Sequence, residues 1–327
     1  LSYILPLFAF DFTQWDQVIL FLILKVKLNA AIALVLGSIL MGILSGITTL
    51  ETIDGINVGF GNMLKGMGLP IGFGIILGEL VSASGGAKII ADKIVQAFPK
   101  NKAIYAIGLA AFVLAIPVYF DVTFVILIPI GMALMKEINK SIAHVVGAIT
   151  IGAAAAHTMV PPTPAPLAAG EIFGFDTGLM IAFGGIVSLI GVFVVIKIYT
   201  MILDKSEKFW KPEKDIATEA VIVKEETTNI KKPSFAMAML PIIVPIIMII
   251  INTVANSVLG EAEPEIFKFI GDKTTALLAG AIVAYLIAVR SMGQKAAEKA
   301  ATDSLSSAGI VFLITGAGGA FSNIITI

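Results

Sequence analysis

The side chains of this sequence that could bind or move a charged group sit where apolar runs are interrupted. The clearest interruption is His157–Gly170, HTMVPPTPAPLAAG, which closes a run long enough to enter a membrane. Pro161, Pro162, Pro164 and Pro166 stop a continuing helix, since each lacks an N–H and clashes with the turn before it. Backbone left polar in this way is tolerated at membrane depth only against protein or a water-filled cavity. His157, Thr158 and Thr163 add donors and acceptors at the same place, so the stretch reads either as a binding site or as a proline-rich loop outside the bilayer. A second interruption, VYFDVTFV, places Asp121 just past Pro117. A carboxylate among Val, Tyr and Phe is costly when charged, which makes Asp121 a candidate for loading and releasing a proton. Its other reading is the N-cap of a helix starting at Val122. Glu79 lies in a third interrupted run and is a weaker candidate for the same task.

Composition excludes most other chemistry. The chain has 327 residues, 57% hydrophobic and only 14% charged, too few charges to cover a soluble domain of this length. With no cysteine and two histidines there is no thiolate nucleophile, disulfide framework or metal cluster to read. No nucleophile–base pair accompanies His157 and Thr158, so an intramembrane enzyme is not supported and no cofactor is expected. A net charge of −1 gives no reason to expect a nucleic-acid partner. The partner it does imply is the lipid bilayer, and the fold class is an all-α polytopic membrane protein.

The elements that must position these residues follow from hydropathy. Apolar spans are expected at 28–47, 103–118, 122–135, 142–156, 177–199, 235–258 and 273–289, with a crossing of some kind before Lys25. Residues 48–65 read as an amphipathic interface segment. The glycine-rich 66–86 reads either as a re-entrant or unwound tip or as a plain packed span. Lys88–Lys102 reads as a basic loop, and His144 as a surface residue. Residues 293–307 are amphipathic and 309–327 are again glycine-rich. This divides the chain into an N-terminal membrane repeat (1–203), a charged linker (204–233) and a C-terminal membrane repeat (234–327).

The order span, amphipathic segment, glycine-rich segment at 28–86 recurs at 273–327, as a repeat of hydropathy rather than of letters. Placing Lys25 and Lys27 in the cytoplasm and alternating spans at 28–47, 66–86, 103–118, 122–135, 142–170, 177–199, 234–258 and 273–289 leaves only Lys65, Lys268 and Lys273 outside, of 22 basic residues. In that phase the span at 28–47 runs outward and the one at 273–289 runs inward, so the repeats are inverted, a common plan of secondary transporters. By the same repeat the second half is expected to continue past Ile327, to roughly 440 residues in all.

The strings SASGGAKIIADKI (82–94), AIPVYFDVTFVILIP (115–129), HTMVPPTPAPLAAG (157–170) and TGAGGAF (315–321) resemble the gluconate permease (GntP) family of proton symporters. The likeness extends from about Lys25 onward, with Thr163 where gluconate-type members often carry histidine and Ala165 where glycine is usual. It implies the ion-transporter superfamily: two inverted repeats with helical hairpins and broken helices, a homodimeric scaffold and elevator-type movement. The implied partners are a small organic anion and H+, and the implied location is the cytoplasmic (inner) membrane.

A sugar-acid anion needs a counter-dipole for its carboxylate and partners for its hydroxyls. Helix N-termini supply the first. The expected tips are Ser82–Gly86, Thr163–Leu167 and Thr315–Gly319. The candidate substrate-binding residues are accordingly Ser82, Ser84, Gly85, Gly86, His157, Thr158, Thr163, Pro164, Thr315, Gly316, Gly318 and Gly319. Asp121, His157 and Glu79 are the candidates for proton coupling. The expected function is proton-coupled symport of gluconate or a related sugar acid. Alternatives are a symporter for D-serine or another small carboxylate, and a facilitator for small neutral solutes.

Overall fold

The computed structural model describes residues 12–138, 140–205 and 231–327. The expected linker, 204–233, therefore lies largely outside the described residues. Among these, the regular structure is helical: α1 (Phe12–Leu24), α2 (Ala30–Leu44), α3 (Thr49–Ala83), α4 (Gly86–Gln96), α5 (Ala103–Ala115), α6 (Phe120–Ile138), α7 (Ile142–Met159), α8 (Pro164–Phe173), α9 (Thr177–Lys205), α10 (Phe235–Leu259), α11 (Glu265–Gly271), α12 (Lys273–Met292) and α13 (Gln294–Thr326). Among the described residues, six stretches are long and apolar enough to cross a bilayer: α3, α7 with α8, α9, α10, α12 and α13.

Local chemistry sets several helix starts. Thr48 and Glu51 form a reciprocal capping box ahead of α3: the Glu51 N–H donates to Thr48 Oγ1 (3.3 Å), and the Thr48 N–H donates to Glu51 Oε2 (3.3 Å). Asn29 caps α2 by accepting from the Ala31 N–H, and Asp272 caps α12 by accepting from Thr274 and Thr275. Two parts of the chain share an order of elements. A short helix (α2, 15 residues) leads through Gly46 at φ +89° into a helix of 35, and α12 (20 residues) leads through Gly293 at φ +87° into one of 33. Glycine serves at both turns because its φ lies in the left-handed region.

Several local expectations are corrected. Of the two readings of 66–86, the plain packed span is the one observed. Residues 49–83 form one helix through Pro70, which removes a single N–H, and the chain breaks only at Ser84–Gly85. The same holds for 293–327: α13 is continuous, and Thr315–Gly319 is helix interior rather than a helix tip. Lys88–Lys102 is not a loop over most of its length. Ala87, Ile90, Ala91 and Val95 make a buried stripe at helical spacing, and α4 forms on it. Asp121 does not precede its helix, since α6 already starts at Phe120 and Asp121 lies in its first turn.

His144 is the reverse of a surface residue. It is buried, with Nδ1 2.7 Å from Ser141 Oγ and Nε2 3.1 Å from Asp204 Oδ1, while Lys140 also donates to Asp204 at 2.7 Å. A second tie joins the same helices, where the Tyr199 hydroxyl donates to the Ala143 carbonyl at 3.1 Å.

The chain forms two compact units. One comprises the described part of Leu1–Leu69 together with Ser306–Ile327. Here α3 and α13 cross on small residues: an added Cβ at Gly59 would stand 2.9 Å from Ala320 Cα, and Asn323 Nδ2 donates to the Gly55 carbonyl at 2.7 Å. The other unit is Pro70–Leu305, and α5 lies in its core. Ala106, Ile107, Ala110, Ala111, Leu114 and Ala115 have no exposed surface. Small residues let α5 and α7 approach closely, and a Cβ at Gly152 would run into the Gly108 carbonyl. With 13 residues, α5 is too short to cross a bilayer, and its end at Ala115 lies inside the protein.

Candidate functional site

Two of the expected interruptions are real, and they meet. The first follows α5. The Val118 N–H still donates back to Leu114 (3.0 Å), Pro117 offers no N–H, and α6 opens with the Thr123 N–H bonded to the Tyr119 carbonyl (2.9 Å). The second separates α7 from α8. Val160 turns extended (φ −118°, ψ 115°), the Pro161–Pro162 bond is cis, and Thr163 (φ −63°, ψ 150°) leads into Pro164 at the first helical position. Thr163 is buried, and its hydroxyl donates to the Val160 carbonyl at 2.8 Å, holding the turn.

Helix α3 passes both breaks on a glycine edge. At Gly78 any Cβ would collide with the Pro117 carbonyl group and stand 3.2 Å from Val118 Cα. At Gly74 a Cβ would sit 3.7 Å from the Pro162 carbonyl oxygen. Between these surfaces lies a cavity lined by Gly74, Pro117, Tyr119, His157, Pro162 and Thr163, among others. Its volume is about 20 Å³, room for one water-sized guest.

The polar groups around this cavity are unusual for a protein interior. Tyr119 Oη, Thr123 Oγ1 and His157 Nδ1 are all buried without a hydrogen-bond partner among the described residues. The Tyr119 and His157 rings lie 6.1 Å apart at 48°. Buried polar groups are normally paired, so these orphans set the region of the breaks apart from the apolar core around it; Tyr119 and His157 line the cavity, and Thr123 does not. Asp121 stands nearby, exposed on the first turn of α6 and within electrostatic reach of His157.

The structure thus brings His157, Thr163 and Pro164 to one cavity, with Asp121 beside it. Thr158 faces away: it is exposed and bonded back to the Ala154 carbonyl at 2.8 Å. Ser84 and Gly85 form the α3–α4 turn, with Ser82 in the last turn of α3 and Gly86 opening α4; Gly85 takes φ +76° and the buried Ser84 hydroxyl donates to the Val81 carbonyl at 3.2 Å. Glu79 is half-buried and interacts with Asp303 rather than lining the cavity. Thr315, Gly316, Gly318 and Gly319 lie within α13 in the other unit; Gly316 packs on Phe60, Gly319 packs on Met63, and Gly318 faces open space.

Gly74, Gly78, Tyr119 and Thr123 were not singled out from the sequence. The four-residue spacing of Gly74 and Gly78 is the signal that was available, since it puts two bare positions on one helix edge. Tyr119 and Thr123 had no sequence signal beyond their closeness to Asp121.

Residues 17–327 match the family model described as GntP family permease. The chain is 29% identical over 321 residues to a protein of Haemophilus influenzae described as an uncharacterized permease, covering 94% of this chain and 65% of that one. It is 31% identical over 320 residues to the gluconate permease of Bacillus subtilis (94% and 70%) and 29% identical over 308 residues to that of Pseudomonas aeruginosa (93% and 68%). The chain thus spans about two thirds of the length of these relatives. The apolar helices agree with the multi-pass membrane protein that these matches indicate. The chain belongs to the GntP family of permeases.

Proposed function

We propose that this protein is a secondary transporter that carries gluconate or a related sugar-acid anion, together with a proton, across the cytoplasmic membrane. The observation that supports this most is the meeting of the α5–α6 and α7–α8 breaks against the glycine edge of α3. Irregular backbone and unpaired polar side chains converge there inside an otherwise apolar helical unit. The names of the relatives supply the substrate class, since those from Bacillus subtilis and Pseudomonas aeruginosa are gluconate permeases.

In this reading the cavity is a closed form of the substrate site, because a six-carbon acid is many times larger than one water. Opening it requires the breaks to move relative to α3, as in elevator-type transport. Asp121 carries the coupled proton, with His157 beside it and Glu79 as a lesser candidate. The matching pairs α2–α3 and α12–α13 support two inverted repeats, 1–203 and 234–327, joined by a cytoplasmic linker, and the assembly is a homodimer.

The test is uptake by the full-length protein in proteoliposomes, with gluconate, D-serine and a neutral polyol offered with and without an inward proton gradient. Gradient-driven accumulation of gluconate is the expected result. Equal, gradient-independent entry of the polyol would replace this reading with a facilitator.

A further inference from the structure

Helix α8 is a short arm between a proline break and a glycine turn, and little of it is packed. Of its 10 residues only Pro166 and Leu167 are buried. At its start Thr163 and Pro164 line the cavity, so a shift of α8 changes the cavity wall. At its end Gly174 takes φ +62°, and a Cβ there would meet nothing within 4 Å. The chain beyond that turn is fixed. Asp176 Oδ1 accepts from the Leu179 N–H and from the Thr253 hydroxyl of α10, both at 2.8 Å, and a Cβ at Gly178 would run into Thr253 Oγ1.

A further polar tie reaches α8 itself. Lys273 Nζ donates to Glu171 Oε2 at 2.5 Å and joins α8 to the first residue of α12. The Glu171 side chain is 37% exposed and that of Lys273 22%, so water can solvate both when they separate. Such a pair adds little to folding stability. Lys273 is also an unusual place for a cation. It stands in the first turn of its helix, against the macrodipole, and positive-inside counting leaves it outside. Glu171 supplies the compensating charge.

We propose that Glu171 and Lys273 form a latch on α8. Joined, they hold the arm to α12 and keep the cavity closed. Parted, they let α8 pivot at Gly174 and carry Thr163 and Pro164 away from the glycine edge of α3. Both are positioning residues, since neither lines the cavity. The role in transport rests on the reading above; the latch itself does not.

The first experiment reads α8 directly and needs no substrate. In the full-length protein, with any other cysteine removed, Leu167→Cys reports on the buried side of α8 through its rate of reaction with a small thiol reagent. Adding Glu171→Gln should raise that rate severalfold. The charge-reversed pair, Glu171→Lys with Lys273→Glu, should bring it back down, with the melting temperature unchanged throughout. An unchanged rate in Glu171→Gln overturns the latch. So does a faster rate that comes with a lower melting temperature, since that is a loss of structure rather than a release of α8.

The second experiment joins Glu171→Cys and Lys273→Cys in one protein with a short bifunctional thiosulfonate. Gradient-driven gluconate uptake in proteoliposomes should be lost on cross-linking and return on reduction. Full uptake by the cross-linked protein would show that α8 and α12 travel together, and the latch would be overturned. Should the wild type transport no hydroxy acid at all, the transport reading fails, and the labelling rates still decide the latch.

Discussion

The α3–α4 and α7–α8 breaks interrupt helices by opposite means, and the difference bears on what each can hold. Gly85 makes the first by taking φ +76°, and α4 then starts with Gly86 and Ala87, each of which carries an N–H. Prolines make the second, and they continue into α8: Pro164 and Pro166 have no N–H, while that of Leu167 already donates to the Thr163 carbonyl at 3.3 Å. In the first turn of α8 this leaves Ala165 as the N–H not committed to the helix. A helix start binds anions through such donors, so a proline-made break supplies shape and exposed carbonyls rather than a counter-dipole. The α4 start keeps its donors. On donor count, the α4 start suits a carboxylate better than the α8 start, whatever motif each lies in.

The most severe test of this contrast addresses the surface that both cavity-forming breaks share. Gly78→Val would force a branched side chain into the Pro117 carbonyl, where backbone leaves no room. Overpacking of this kind costs about 1–3 kcal/mol or more, and uptake is expected to fall at least about tenfold, with reduced yield of folded protein. A variant with wild-type uptake and melting temperature would show that α3 does not rest on the break.

Asp121→Asn comes next. It keeps the size of the side chain but cannot titrate, so substrate exchange should survive while accumulation driven by a pH gradient is lost. Proteoliposome counterflow and gradient-driven uptake, measured side by side, check this. Full accumulation by the variant would move the coupling to another group.

Gly85→Ala probes the glycine-made break directly. An alanine held at φ +76° costs about 1–2 kcal/mol, seen as a lower melting temperature. Because the α4 donors are displaced as well, KM for an anionic substrate should rise severalfold. A lower melting temperature with unchanged KM would remove α4 from substrate binding.

The smallest effects are expected at the proline-made break. Pro166→Ala restores an N–H at the α8 start, yet should leave KM within about twofold if α8 does not hold the carboxylate. A marked gain in affinity would reverse the assignment. Thr158→Ala, at an exposed residue bonded to its own helix, should change stability by no more than about 0.5 kcal/mol and leave uptake unaltered. A loss of transport in this variant would return Thr158 to the site.

The limits of the sequence show most clearly in two glycine-rich segments. Residues 66–86 and 309–327 have similar composition, and both suggested an unwound tip. Inside 309–327 the helix continues, because Gly316 and Gly319 are needed for contact with Phe60 and Met63, and close packing offsets the conformational cost of glycine. In 66–86 the glycines at 74 and 78 serve close approach to the breaks, whereas Gly85 alone makes a turn. Glycine permits both uses, and spacing along the chain does not choose between them.

His144 teaches the same lesson. Neighbouring Lys140 and a helix start made it look exposed, but it is buried, and its partner Asp204 comes from the far end of α9, 60 residues on.

By itself the sequence determined the membrane class, the helical content, the family and the two proline breaks. These depend on composition and on backbone chemistry that acts within a few residues: apolar length, missing N–H groups and caps such as Thr48–Glu51. Tertiary structure decided which breaks adjoin, that α3 runs past them on Gly74 and Gly78, and that Tyr119 shares a cavity with His157. Those outcomes rest on contacts between segments distant in the chain, where any residue small enough or polar enough would look the same until its neighbour is known.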